Sequence, residues 1–233
     1  MNTIPKKIHY CWFGRKSKTN LMKKCLKSWV KYCPDYEIIE WNEDNFPIEA
    51  NEFTKYTYEN RNYAFLSDYV RLLVVQRFGG LYLDTDVELV KNLDEFLETQ
   101  GFIGFENDNY LNTGQGFGAA SNSVMISAMV MEYDLMIKSG EYKKRLIGCP
   151  ILNTMAFEKM GLRKNGKQQR IEDFIVYPSS VMNPYNGVTG KLNISENTIS
   201  IHWYAKSWMN KRTRLICFFS KPLHRIKEKR IFK

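Results

Sequence analysis

Three carboxylates recur at alternate positions in Leu81-Tyr82-Leu83-Asp84-Thr85-Asp86-Val87-Glu88, directly after a short apolar run. In a regular strand Asp84, Asp86 and Glu88 would all face one way. Like charges held together repel unless a cation or a hydroxyl-rich ligand lies against them, and donors that are all oxygen suit a hard ion such as Mg2+ or Mn2+. The same pattern would also serve as a solvated strand end with its charges turned to water. Upstream, Asp68 and Arg71 stand three residues apart on one face of an otherwise apolar helix. They could pair with each other, or Asp68 could hold a substrate hydroxyl and Arg71 a phosphate. Downstream, the run from Ile199 to Trp208 gathers His202, Lys206 and Trp208. His202 could add a nitrogen ligand to the same cation, favouring Mn2+ over Ca2+, while Lys206 and Trp208 could bind a diphosphate by charge and by indole N–H. A strand histidine with core aromatics around it would look the same.

The elements that must position these groups are legible from spacing. Ile4 to Phe13, β-branched and aromatic, predicts a strand that ends at Gly14. Thr19 or Asn20 can cap a helix whose apolar face is Leu21, Met22, Cys25, Leu26, Trp29 and Val30, stopped by Pro34-Asp35. Tyr36 to Trp41 predicts a second strand, and this strand, helix, strand order is the opening of an α/β sheet with parallel neighbours. Arg61 to Phe78 predicts a buried helix ended by Gly79-Gly80. Strands are expected at 81–83, 102–105, 116–120, 171–177 and 199–204, and helices at 123–137, capped by Ser123, and 150–160, with Pro150 in its first turn.

Charge is distributed unevenly. The chain has 233 residues and a net charge of +9, yet residues 211–233 alone carry nine Lys/Arg against one Glu. The other 210 residues are close to neutral, which fits one catalytic domain, residues 1–210, with a basic appendage, residues 211–233. The five cysteines form no C-x-x-C pair, so neither a disulfide framework nor a thiolate zinc site is expected. No apolar run approaches the ~20 residues needed to span a bilayer, and the first residues lack the apolar core of a secretory signal. A cytoplasmic protein is expected.

Three blocks together, Ile4-Pro5-Lys6-Lys7-Ile8-His9-Tyr10-Cys11-Trp12-Phe13-Gly14, Tyr63-Ala64-Phe65-Leu66-Ser67-Asp68-Tyr69-Val70-Arg71-Leu72 and Gly79-Gly80-Leu81-Tyr82-Leu83-Asp84-Thr85-Asp86, resemble the family 32 glycosyltransferases. These are DXD-containing sugar transferases often encoded for capsule or other surface polysaccharide synthesis. The resemblance runs from residue 4 to about 208 and takes in Asn112-Thr113-Gly114. It implies a GT-A fold, an α/β mixed sheet flanked by helices, with a nucleotide-sugar donor, Mn2+ or Mg2+, and retention of anomeric configuration. By position, Trp12 would contact the uracil or its ribose, Asp68 and Arg71 the donor sugar and phosphates, and Asp84 ribose and sugar hydroxyls. Asp86 would ligate the metal, Asn112 would contact the transferred sugar, and His202, Lys206 and Trp208 would close over the diphosphate. The family is similar in core to the glucosylating-toxin catalytic domains, where the C-terminal metal ligand is a carboxylate; His202 departs from that pattern and resembles instead the histidine of a neighbouring retaining family, which implies a metal-ligating role.

The expected activity is hexose transfer, from a UDP-linked donor, to a glycan or lipid-linked oligosaccharide. The basic tail interleaves Lys/Arg with apolar residues such as Leu215, Phe218, Phe219 and Ile231, a pattern that can lie on an anionic membrane surface or bind nucleic acid. The acceptor chemistry favours the membrane, at the inner face of the cell membrane, over nucleic acid. A rival reading is a carbohydrate- or nucleotide-sugar-binding module without turnover. Other enzyme classes fit poorly: haloacid-dehalogenase phosphatases require Thr or Val where Glu88 stands, Gly114 to Gly118 departs from G-x-G-x-x-G, and no phosphate-binding P-loop or G-x-S-x-G is present.

Overall fold

In the computed structural model, which describes residues 3–205, the chain opens as the spacing predicts. Strand β1 (Lys7–Cys11), helix α1 (Asn20–Tyr32) and strand β2 (Glu37–Trp41) form a crossover, with β1 and β2 parallel from Lys7 opposite Glu37 to Cys11 opposite Trp41. Thr19 caps α1, its hydroxyl accepting the Met22 N–H at 3.3 Å. Helices α2 (Glu52–Glu59) and α3 (Tyr63–Phe78) follow, and α3 stops at Gly79, whose φ of 63° is free of strain only without a side chain.

The rest of the chain completes a mixed sheet. Strands β3 (Gly80–Tyr82) and β4 (Val87–Leu89), helix α4 (Asp94–Leu97), strands β5 (Gly101–Asn107), β6 (Tyr110–Leu111) and β7 (Phe117–Ala119), and helices α5 (Val124–Ser139) and α6 (Cys149–Lys159) lead to β8 (Gln169–Ile171), β9 (Phe174–Tyr177), α7 (Ser179–Met182) and β10 (Ser200–His202). The order across the sheet is β2-β1-β3-β7-β5-β9-β8, with β6 paired to β5. β1, β2 and β3 are mutually parallel, β7 runs against both β3 and β5, and β4 pairs antiparallel with β10 in a separate ribbon. One face of the sheet is covered by a core drawn from α2, α3, α5 and α6, including Phe53, Val70, Met129 and Phe157. The other is covered by Trp29, Phe96 and Met182 from α1, α4 and α7.

Several elements depart from the pattern-based expectation for local reasons. β1 is shorter than residues 4–13, since Pro5 has no N–H to give the ladder and the chain turns away after Cys11. The span 171–177 is not one strand: it begins on the last residue of β8, turns at Glu172 with φ 48°, and returns as β9, so that β8 and β9 form a hairpin over 169–177. Helix α2 has too polar a sequence for an apolar stripe, but its signal is the capping box in which Asn51 accepts the N–H of Thr54 at 2.9 Å and the Thr54 hydroxyl receives the Asn51 N–H. Most important, residues 84–86 are not strand. Val87 donates to the Asp84 carbonyl at 2.9 Å, closing a turn between β3 and β4, so the three acidic side chains do not share one strand face.

β1 also carries a buried imidazole. His9 Nε2–H donates to the Gly79 carbonyl at 2.8 Å, and the Trp41 indole donates to His9 Nδ1 at 3.1 Å. An indole is a donor only, so Nδ1 is an acceptor and the ring is neutral. Burial lowers its pKa from 6.5. The unfolded chain therefore binds a proton below that value which the folded chain refuses, so the contribution of His9 to stability falls as pH drops through and below 6.5. Asp84 and His202, both raised in the folded chain, act in the opposite sense over the same range, so the effect of His9 is read as a difference: His9→Gln should lose less stability, or gain more, than the unaltered protein in thermal unfolding between neutral and mildly acid pH.

Candidate active site

The carboxyl ends of β1, β3 and β5 lie at one edge of the sheet, flanking the point where β1 has β2 on one side and β3 on the other, the place where open α/β sheets take ligands. Helix α3 delivers Asp68 and Arg71 to this edge. Buried among Leu66, Tyr69, Val70 and Leu72, a lone charge would be costly, and the structure pairs all of them. Arg71 Nη2 is 3.0 Å from Asp68 Oδ1 and 2.9 Å from Asp84 Oδ1. Its guanidinium lies 4.7 Å over the Tyr82 ring, and the Tyr82 hydroxyl donates to the same Asp84 oxygen at 3.0 Å. Asp68 Oδ2 accepts the Cys149 N–H at 3.2 Å, at the start of α6. Arg71 is thus engaged by two carboxylates, and its Nε is buried without a hydrogen-bond partner among the described residues.

Across the turn, Asp86 meets β10. His202 Nε2 is 3.3 Å from Asp86 Oδ1, and the other oxygen accepts the Ala205 N–H at 2.7 Å. Burial pushes the Asp84 carboxyl up to about 6 against the pull of Arg71. Burial works on Asp86 the same way, but the His202 imidazole and backbone N–H donors, that of Ala205 among them, together outweigh it and hold the carboxyl below its ordinary range; burial lowers His202, and the carboxylates around it, Asp86 foremost, raise it by more. Ligand atoms of Asp84, Asp86 and His202 lie within 4.8 Å of one another. His202 Nδ1 is buried and lacks a hydrogen-bond partner among the described residues. Two carboxylates and an imidazole at this spacing fit a hard divalent cation. Glu88 stands apart on β4, 2.7 Å from Lys24 and accepting the Trp203 indole N–H at 2.8 Å; the expectation that it joins Asp84 and Asp86 on one face is corrected, because the turn at 84–87 redirects the chain.

Asn112 is brought to the same cluster. Its amide donates to Glu106 Oε2 at 3.2 Å and its carbonyl oxygen accepts the Gly114 N–H at 2.6 Å. Trp12 lies at the end of β1, packed against the core of Leu83 and Val87, with its indole N–H on the Lys16 carbonyl at 2.7 Å. It shares the sheet edge, but its indole N–H is engaged by its own loop. Lys206, Trp208 and the tail 211–233 lie outside the described residues.

The structure adds groups that spacing did not expose. Glu106, at the end of β5, also receives the Tyr204 hydroxyl at 3.2 Å. Tyr204 stacks on His202 at 4.1 Å between centroids and takes a hydrogen bond from Asn183. Glu106 therefore links Asn112 to the segment that closes on Asp86, a link that joins residues 98 positions apart. Cys149 packs within 3.6 Å of Arg71 Nη1 and Asn112 Oδ1, and burial drives its thiol well above the usual range. It is an inert packing group, and all four cysteines among the described residues are free thiols.

Gly114 makes the cluster close-packed: a Cβ there would stand 2.5 Å from Asp84 Oδ2 and 2.9 Å from Asn112 Oδ1. Gly114→Ala must push Asp84 aside, so turnover should fall about a hundredfold, the usual cost of a displacement near 1 Å. A melting temperature near wild type would show that the loss is local.

Residues 19–103 match the glycosyltransferase sugar-binding region containing DXD motif. The described chain superposes on the PaToxG glycosyltransferase with a TM-score of 0.53 at 20% identity, over 68% of this chain and 70% of that one. It superposes also on a glycosyltransferase involved in glycosylation of the major capsid of PBCV-1, with a TM-score of 0.51 at 14% identity, over 85% and 94% of the two chains. The fold is that of the GT-A-like glycosyltransferases. In sequence the chain is 29% identical over 112 residues to inositol phosphoceramide mannosyltransferase 3 of Schizosaccharomyces pombe, covering 43% of this chain. It spans 29% of the length of that relative. The matched region, 19–103, holds Asp68, Arg71, Asp84 and Asp86, whereas Asn112, Glu106 and His202 come from the part of the fold that completes the site around it.

Proposed function

We propose that this chain is a metal-dependent retaining glycosyltransferase that moves a hexose from a nucleoside-diphosphate sugar, UDP-linked, to a glycan or lipid-linked oligosaccharide in surface polysaccharide synthesis. The observation that carries it is the turn at Asp84-Thr85-Asp86, held between the Arg71 cation and His202 at the carboxyl edge of the sheet. The match of residues 19–103 to the sugar-binding region and the likeness in fold support the same reading.

Asp86 and His202, with Asp84 beside them, would hold Mn2+ or Mg2+, which supplies charge neutralisation for the departing diphosphate. Asp84, kept in place by Arg71 and Tyr82, presents its free oxygen to ribose or sugar hydroxyls. Asp68, tied to Arg71 and to the Cys149 N–H, accepts from a sugar hydroxyl at the edge of the same pocket. Asn112, oriented by Glu106 and Gly114, addresses the transferred sugar, and Trp12 offers an indole face to the base. Lys206 and Trp208 are assigned to the diphosphate by their chemistry, a cation and an indole N–H. Transfer needs no activated thiol, and the acceptor hydroxyl attacks from the face that the diphosphate leaves. Isolation of a glycosyl-enzyme covalently bound to Asp68 would overturn that order of events. The tail 211–233 is assigned to the anionic inner face of the cell membrane, in keeping with a cytoplasmic enzyme that meets a lipid-linked acceptor.

Calorimetric titration with UDP tests the donor assignment. UDP is expected to bind in the presence of Mn2+ and to lose that binding with chelator, with GDP weaker. Binding of free sugars with no nucleotide binding under any metal would point to the carbohydrate-binding module instead.

A further inference from the structure

Helices α5 and α6 turn to solvent an apolar face that neither the core nor the site uses. On α5, Val124, Met131 and Leu135 fall on one stripe, opposite Met125, Met129, Tyr133 and Met136, which enter the core. On α6, Ile151 and Met155 lie opposite Ala156 and Phe157. These five apolar side chains are between 39% and 60% exposed. Lys159 Nζ reaches Glu132 Oε1 at 2.5 Å across the seam of the two helices, so the stripes flank one seam on its solvent side. Scattered exposed apolar groups are ordinary, but two stripes meeting at one seam form a patch of the kind that marks an interaction surface.

Charge decides what fits it. Residues 124–170 hold nine Lys/Arg and four Asp/Glu, although residues 1–210 as a whole are near neutral. Lys138, Lys144 and Arg145 lie where α5 gives way to α6, and Arg163 lies beyond the other end of α6; none has a carboxylate partner among the described residues. A second copy would set two cationic rims against each other, and the tail 211–233, nine Lys/Arg to one Glu, would be repelled in the same way. An anionic bilayer suits both features, with apolar side chains entering the interface and basic groups at the headgroups.

We infer that the α5–α6 face docks on an anionic lipid surface. The placement deepens the acceptor reading above, on which it rests for its purpose: α6 begins at Cys149, whose N–H is bonded to Asp68, so docking brings one wall of the site to the bilayer. No helix among the described residues is long and apolar enough to cross a membrane, so the contact is interfacial.

The full chain should co-sediment with phosphatidylglycerol-containing vesicles and much less with pure phosphatidylcholine. Met131→Glu/Leu135→Glu should weaken that partition about tenfold or more, by losing apolar insertion and adding repulsion. Lys144→Gln/Arg145→Gln should weaken it roughly fivefold for each charge removed. Val188→Glu/Ile194→Glu, at exposed apolar positions elsewhere, should leave it unchanged, and melting temperatures confirm that each variant folds. Wild-type partition by Met131→Glu/Leu135→Glu overturns the inference. Failure of the unaltered chain to bind vesicles also overturns it, as does a dimer dispersed by the same pair in place of vesicle binding. If removal of 211–233 abolishes binding while the helix pair has no effect, the tail assignment stands and the α5–α6 face falls. UDP binding that persists in either case keeps the transferase reading separate from this one.

Discussion

Arg71→Ala is expected to lower the free energy of unfolding by about 3–5 kcal/mol, the usual cost of removing one partner from a buried ion pair. The guanidinium is the cation between Asp68 and Asp84 and rests on the Tyr82 ring. Without it two carboxylates stay beneath α3 with no compensating charge. Arg71→Lys should recover part of the stability, since an ammonium can meet one carboxylate. It cannot offer a planar fork to both, so Asp84 would lose its fixed position and activity would not return with stability. Urea unfolding reads the first effect. A loss below about 1 kcal/mol in Arg71→Ala would mean that the ion pairs are incidental to the fold.

Asp86→Asn is expected to separate chemistry from stability in the opposite sense. The amide oxygen can still accept the Ala205 N–H, so the segment after β10 keeps its tether. What disappears is the negative charge facing His202 and the carboxylate ligand of the proposed cation site. Loss of a metal's contribution, several kcal/mol, corresponds to a fall of about a thousandfold in turnover, with the Asp84 and Arg71 pairing intact. Manganese binding, followed by its paramagnetic signal, should weaken in parallel. Unaltered turnover in Asp86→Asn would exclude Asp86 as a ligand.

How much of this is written locally in the chain differs from residue to residue. The β1, α1, β2 opening could be read because Thr19, the apolar spacing of α1 and the Pro34 stop act within a few residues of one another. The partnership of Asp68 with Arg71 was open to two readings, mutual pairing or separate ligand contacts. The structure shows the pairing, extended to Asp84, which no i,i+3 rule could supply because β3 brings it from thirteen residues away. The acidic turn misled in a specific way. Alternation at 84, 86 and 88 mimics a strand, and only the bond from Val87 to the Asp84 carbonyl turns Glu88 out toward Lys24. His202 stood out by residue type, yet its contact with Asp86 depends on the β4–β10 ribbon. The bond between Glu106 and Tyr204 could not be read from spacing, since it is tertiary and joins the end of β5 to a segment near the other end of the described chain.

The most direct test of the central claim is release of nucleoside diphosphate from a panel of nucleotide sugars by the unaltered protein, with Mn2+ and with chelator. Slow release from one UDP-linked hexose is expected, dependent on the metal and accelerated by the correct acceptor. No release from any donor under either condition, with UDP failing to bind, would contradict it.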